Sequence, residues 1–116
     1  LVDVPGYGFA NRSKQEQINY GTLMDSYFEL RHPSLMLILV DIRRGIAEED
    51  ESMMQFAQHY GMDYAIVLSK ADKLSRGKAK SLQLQTERNY GVPVFLFSHT
   101  MIESREPILN KILTYI

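Results

Sequence analysis

The chain reads as a three-layer α/β domain, a mainly parallel sheet with helices on both faces. Three observations predict it. Short apolar runs alternate with longer stretches of helical period. The runs are mostly continuous rather than alternating, as in strands covered on both faces. Strict alternation of strand and helix calls for parallel neighbours joined by right-handed crossovers. With 116 residues and no repeat, low-complexity tract or linker, residues 1–116 form one unit.

Taken in order, Leu1-Val2-Asp3-Val4 is a buried strand broken by Pro5-Gly6. Ser13 and Glu16 make a capping box, after which Tyr20, Leu23, Met24, Tyr27 and Phe28 recur at helical spacing as far as Pro33. Ser34–Val40 is the second strand and is followed by Asp41. From Glu48 to Tyr60 a helix sets Met53, Met54, Ala57 and Tyr60 on one face, with Gly61 as its stop. Tyr64–Leu68 is the third strand. A more polar helix spans Lys78–Tyr90 and stops at Gly91, and Val92–Phe97 is the fourth strand. The last helix carries Ile108, Leu109, Ile112, Leu113 and Ile116. Methionine and aromatic residues on these faces are assigned to the core.

Composition narrows the function classes. Apolar residues make up 45% and charged ones 23%, ordinary for a soluble globular protein. A net charge of −1 gives no overall field toward DNA or acidic lipid, so any RNA contact must come from a local patch. Arg12, Lys14, Arg43, Arg44, Arg76, Lys78 and Lys80 flank the ligand edge. They are either a surface for RNA phosphates or a solvated rim balanced by Glu48, Glu49, Asp50 and Glu51. The absence of cysteine excludes a disulfide framework and a zinc ribbon, and fits a reducing, cytoplasmic setting. Leu35–Val40, the longest apolar run, is far short of a membrane span. Leu1 stands directly inside an apolar segment, without an initiating Met, and the chain reads as part of a longer protein.

Ligands of open parallel sheets bind outside the carboxyl ends of the strands. Those ends carry Asp3-Val4-Pro5-Gly6, Asp41-Ile42-Arg43-Arg44, Ser69-Lys70-Ala71-Asp72 and Ser98-His99-Thr100. In the third, Asp72 just past a strand can accept from guanine N1–H and the exocyclic amine together, donors that adenine lacks there. The Lys70 stem can lie along a base face while its ammonium stays wet. Asp3-Val4-Pro5-Gly6 fits the D-x-x-G element of nucleoside triphosphatases. There an Asp orients a magnesium-bound water, and a Gly lets its backbone N–H approach the γ-phosphate. Ser98-His99-Thr100 would close over the base, chiefly through backbone N–H groups. Each string alone is equally readable as an ordinary turn, and His99, with no cysteine, acid partner or second nearby His, carries no catalytic reading.

The strings Leu1–Ala10, Leu39-Val40-Asp41-Ile42-Arg43, Ser69–Lys73 and Phe97-Ser98 together closely resemble the EngB family of Era-like bacterial GTPases. The resemblance covers essentially the whole chain in order. It implies a P-loop NTPase-type fold that binds GTP and GDP, works with Mg²⁺, and acts in large ribosomal subunit assembly, normal cell division and septation. It places Asp3, Val4, Pro5 and Gly6 at the phosphates and switch, with Asp3 reaching the metal through water. Ser69, Lys70, Ala71, Asp72, Phe97, Ser98 and His99 fall at the guanine. Ser69 replaces the usual Thr or Asn, and His99 stands where a small residue is usual, with no glycine in Met101–Ser104. Tyr7 follows Gly6 where Ras-like enzymes have a water-positioning glutamine, which implies slow intrinsic hydrolysis.

No G-x-x-x-x-G-K-[ST] string occurs in the 116 residues. The N-terminal strands, the P-loop and the direct magnesium ligands that the resemblance implies are therefore absent from this sequence. In that fold the P-loop strand would lie between the strands ending at Asp3 and Asp41, leaving both with open edges. Two readings follow: a GTPase switch of which these residues are a part, or a truncated, non-hydrolysing interaction module of the same fold. An unrelated doubly wound domain such as a receiver explains Asp3 and Asp41 but not Ser69–Asp72.

Overall fold

The computed structural model describes residues 14–31 and 34–116. The expected strand Leu1–Val4 and the capping serine Ser13 lie outside the described residues. Along the chain run α1 (Lys14–Arg31), β1 (Leu35–Asp41), α2 (Glu48–His59), β2 (Asp63–Ser69), α3 (Arg76–Tyr90), β3 (Val94–Leu96) and α4 (Arg105–Leu113), with 3₁₀ turns at Ala71–Lys73 and Ile102–Ser104. The three described strands form a parallel sheet in the order β1-β2-β3. The fold is α/β, as the alternation of runs predicts.

One face of the sheet builds the core. Met36, Ile38 and Val40 of β1 share it with Tyr64, Ile66 and Leu68 of β2 and Val94 of β3. These alternate positions meet Met24 and Phe28 of α1, Met53, Met54 and Ala57 of α2, and Ala79 of α3. Met24 and Phe28 stand one helical turn apart, and each is 1% exposed. Phe28 lies 5.6 Å from the Tyr27 ring, 5.8 Å from Phe56 and 5.2 Å from Tyr60, all tilted or edge-on.

Capping fixes the helix boundaries. Four acidic residues occupy the first turn of α2, where the helix dipole favours them. Asp50 reaches back to accept from the Ala47 N–H at 2.8 Å. The end of α2 is a Schellman motif: Gly61 (φ +64°) donates to Gln58 O at 3.2 Å and Met62 to Ala57 O at 2.8 Å. α3 begins at Arg76, two residues before the expected Lys78, because the Ser75 hydroxyl accepts from Lys78 N and caps it.

Three further expectations are corrected. β3 is three residues rather than the six of Val92–Phe97. Pro93 has no N–H for the ladder, although its carbonyl accepts from Ile66 N at 3.0 Å and Phe97 N reaches Leu68 O at 2.9 Å. Coverage on both faces holds for β2, where Tyr64 to Leu68 are all buried, but not for β1. There Leu35 and Leu37 are half-buried and Leu39 is 57% exposed. The last helix ends at Leu113, and none of its residues is fully buried: Ile108 and Ile112 are half-buried, while Leu109 and Leu113 are exposed. Among the described residues no helix is long and apolar enough to cross a membrane.

Candidate functional site

Parallel pairing puts the strand ends side by side. Asp41 is the register partner of Ser69, and β2 pairs with β3 up to Leu68–Leu96. The Ser69 hydroxyl donates to Val40 O at 3.2 Å, and Ile42 N donates to Ser69 O at 3.0 Å. The ends of β1 and β2 are thereby tied together.

The chain then turns sharply. Lys70 has φ +57° and ψ +37°, the left-handed region, and is the only non-glycine with positive φ among the described residues. An L residue there costs roughly 1–2 kcal/mol. The turn is held by Ala71 N donating to Phe97 O and Lys73 N to Lys70 O, each at 3.0 Å. Ala71 is buried, which fixes the base of the turn and leaves Lys70 and Asp72 on its outer side.

Asp72 is met by the next loop. Its Oδ1 accepts from the Ser98 hydroxyl at 2.7 Å. Ser98 is 1% exposed, and its Oγ lies 2.8 Å from Thr100 Oγ1 and accepts from Thr100 N at 3.2 Å. A serine hydroxyl has one proton, and an ionised carboxylate can only accept. The proton of Ser98 therefore goes to Asp72, and Thr100 must donate into Ser98. Ser104 secures the loop from behind, accepting from Ser98 N at 3.1 Å and lying 2.6 Å from Met101 O. The Ser98 hydroxyl is the first cause holding the Asp72 carboxyl below its usual range; partial desolvation opposes it, and Lys73 and His99 add smaller attractions.

The loop closes without glycine. Met101 N donates to Ser98 O at 3.1 Å across His99 and Thr100, a β-turn in which neither central residue has positive φ. His99 is exposed on it.

Of the sequence-predicted residues, the structure brings Ser69, Lys70, Ala71, Asp72, Phe97, Ser98 and His99 to one edge. Asp3, Val4, Pro5 and Gly6 lie outside the described residues. Among the described residues no group of three or more His, Cys, Asp or Glu could hold a metal ion.

No protein-family model matches the chain. Curated proteins do. A protein of Geobacillus kaustophilus named "Probable GTP-binding protein EngB" is 35% identical over 121 residues, covering 100% of this chain and 62% of its own length. Proteins of the same name from Fusobacterium nucleatum and Xylella fastidiosa are 36% and 43% identical, over 95% and 77% of this chain. Over its whole length the chain is similar to EngB proteins. It spans 62% of the Geobacillus EngB and 58% of the Fusobacterium one, so these relatives are considerably longer.

Sequence reasoning has Ser98-His99-Thr100 closing over a base chiefly through backbone N–H groups. It missed that the Ser98 side chain holds Asp72 and that Thr100 and Ser104 hold Ser98. The available signal was three hydroxyl residues within seven positions, and no periodicity marks such a cluster.

Proposed function

We propose that this chain supplies the guanine-reading part of a GTPase switch. The carrying observation is Asp72, kept as a charged acceptor by the buried Ser98 hydroxyl and set beside a lysine in a strained turn. With Oδ1 fixed by Ser98 and each carboxylate oxygen able to accept twice, the pair can still take guanine N1–H and its exocyclic amine. The Lys70 stem lies along the purine face, and the turn meets the base carbonyl through the His99 N–H, since the N–H groups of Ser98 and Thr100 already donate to Ser104 Oγ and Ser98 Oγ. Asp3–Gly6 would serve the phosphates, with Asp3 ordering a water on Mg²⁺, which when bound neutralises the developing phosphate charge. With Tyr7 after Gly6, intrinsic hydrolysis is slow and is raised by a partner. The partner proposed is the large ribosomal subunit during its assembly in the cytoplasm, a role that links the switch to cell division and septation. Support for these roles is the EngB likeness.

The test is Asp72→Asn in the full-length protein. The amide keeps the size but turns one acceptor into a donor facing the guanine amine. Xanthine has a carbonyl oxygen at that place. Preference should invert from GDP to XDP, with mispaired polar groups costing factors of up to about 10⁴. A mutant that still prefers GDP in equilibrium titration would show Ser69–Asp72 to be only a turn.

A further inference from the structure

Base reading leaves the Asp41 strand end without a task, yet among the described residues it is the most heavily bonded acid at this edge. Its Oδ1 accepts from Arg43 N at 2.9 Å and Arg43 Nε at 3.2 Å, and its Oδ2 from Arg43 Nη2 at 3.0 Å. The guanidinium fork and the turn thus grip the carboxylate at once. Lys70 Nζ lies 3.6 Å from Oδ2. Arg43 also faces Asp72 electrostatically, which places it at the same edge.

We propose that Asp41 is a positioning residue of the nucleotide site, holding the Lys70 ammonium so that its methylene stem is already laid out for the purine. The inference rests on the guanine reading above. A free lysine stem samples many rotamers and loses them on stacking. Here the left-handed backbone of Lys70 fixes where the stem starts, and Asp41 fixes where it ends. Asp41 can serve as that anchor because Arg43 and the register with Ser69 immobilise it. Its carboxyl is held well below the usual range, first by the Arg43 side-chain bonds, so it stays charged at any pH where the protein works.

Asp41→Asn isolates the charge, because the amide oxygen can still accept from Arg43 N and keep the turn. Asp41→Ser, whose hydroxyl can accept from the same N–H, is a second charge-free variant. Both are made in the full-length protein, with and without Lys70→Met, which preserves an apolar stem but not the ammonium. Affinity for a fluorescent GDP analogue is measured in each. With Lys70 present, either substitution should weaken binding about three- to fivefold, the upper part of the range of a solvent-exposed ion pair. In the Lys70→Met background the loss should shrink to under about 1.5-fold, because the partner is gone. Equal losses in both backgrounds, which a merely structural Asp41 would give, overturn the inference, as does no loss with Lys70 present. A wild type that binds GDP no better than ADP sinks the guanine reading and this inference with it. A guanine-selective wild type with an indifferent Asp41 sinks this inference alone.

Discussion

Ser98 has one hydroxyl proton and gives it to Asp72, while its oxygen takes both the N–H and the hydroxyl of Thr100. This arrangement sets how the site responds to acid. The folded-state pKa of Asp72 is depressed, so the ionised form is favoured above the ordinary carboxylate range and lost as pH falls through the folded value. Ser98→Ala removes the largest depressing contact and should move the acid limb of GDP affinity to higher pH. Full-length protein titrated with GDP between about pH 3 and 6 measures it. An unshifted limb would mean that Ser98 does not hold the carboxylate in solution. The place of Lys70 and Asp72 was legible in the sequence because the apolar run of β2 stops directly before them. Thr100 and Ser104 were not, because a hydroxyl's partner depends on how a loop folds back, which no local pattern records.

At the scale of elements, aromatic packing joins α1 to the sheet through α2. Phe28 touches Tyr27, Phe56 and Tyr60, and the Tyr60 hydroxyl donates to Asp25 Oδ1 at 2.8 Å across the two helices. Phe28→Ala leaves a cavity in this cluster and should cost about 3–5 kcal/mol in denaturant unfolding. A cost under about 1 kcal/mol would mean that α1 is not docked as described. α1 and α2 were readable from their helical period, Met24 with Phe28 and Met53 with Ala57, with Gly61 stopping α2, and the two long strands were readable as apolar runs. The start of α3 was placed late because Ser75 had not been weighed as a cap. β3 was read too long because apolar residues continue past the point where Pro93 and the turn at Ser98 limit the ladder.

For the molecule as a whole, the second face of the sheet decides what the 116 residues can do alone. Leu39 is 57% exposed on β1, and Leu109 and Leu113 are 55% and 62% exposed on α4. Sequence patterning reads Leu39 as covered on its strand and sets Leu109 and Leu113 among the apolar residues of the last helix, since apolarity records what a residue would bury against, not whether a partner is in place. The same holds for the ligand. Phosphate and metal contacts supply most of the nucleotide affinity in P-loop folds, whereas the base reader supplies choice among bases. No G-x-x-x-x-G-K-[ST] string occurs in these 116 residues, so the chain expressed by itself retains Asp72 and Ser98 but not that source of affinity. It should bind a fluorescent GTP analogue more weakly than about 100 µM, far from the sub-micromolar range, and should not hydrolyse GTP. Titration of the isolated chain beside the full-length protein checks this, with circular dichroism confirming that both are folded. Sub-micromolar binding by the isolated, folded chain would place the main affinity in the base reader and refute this division of labour.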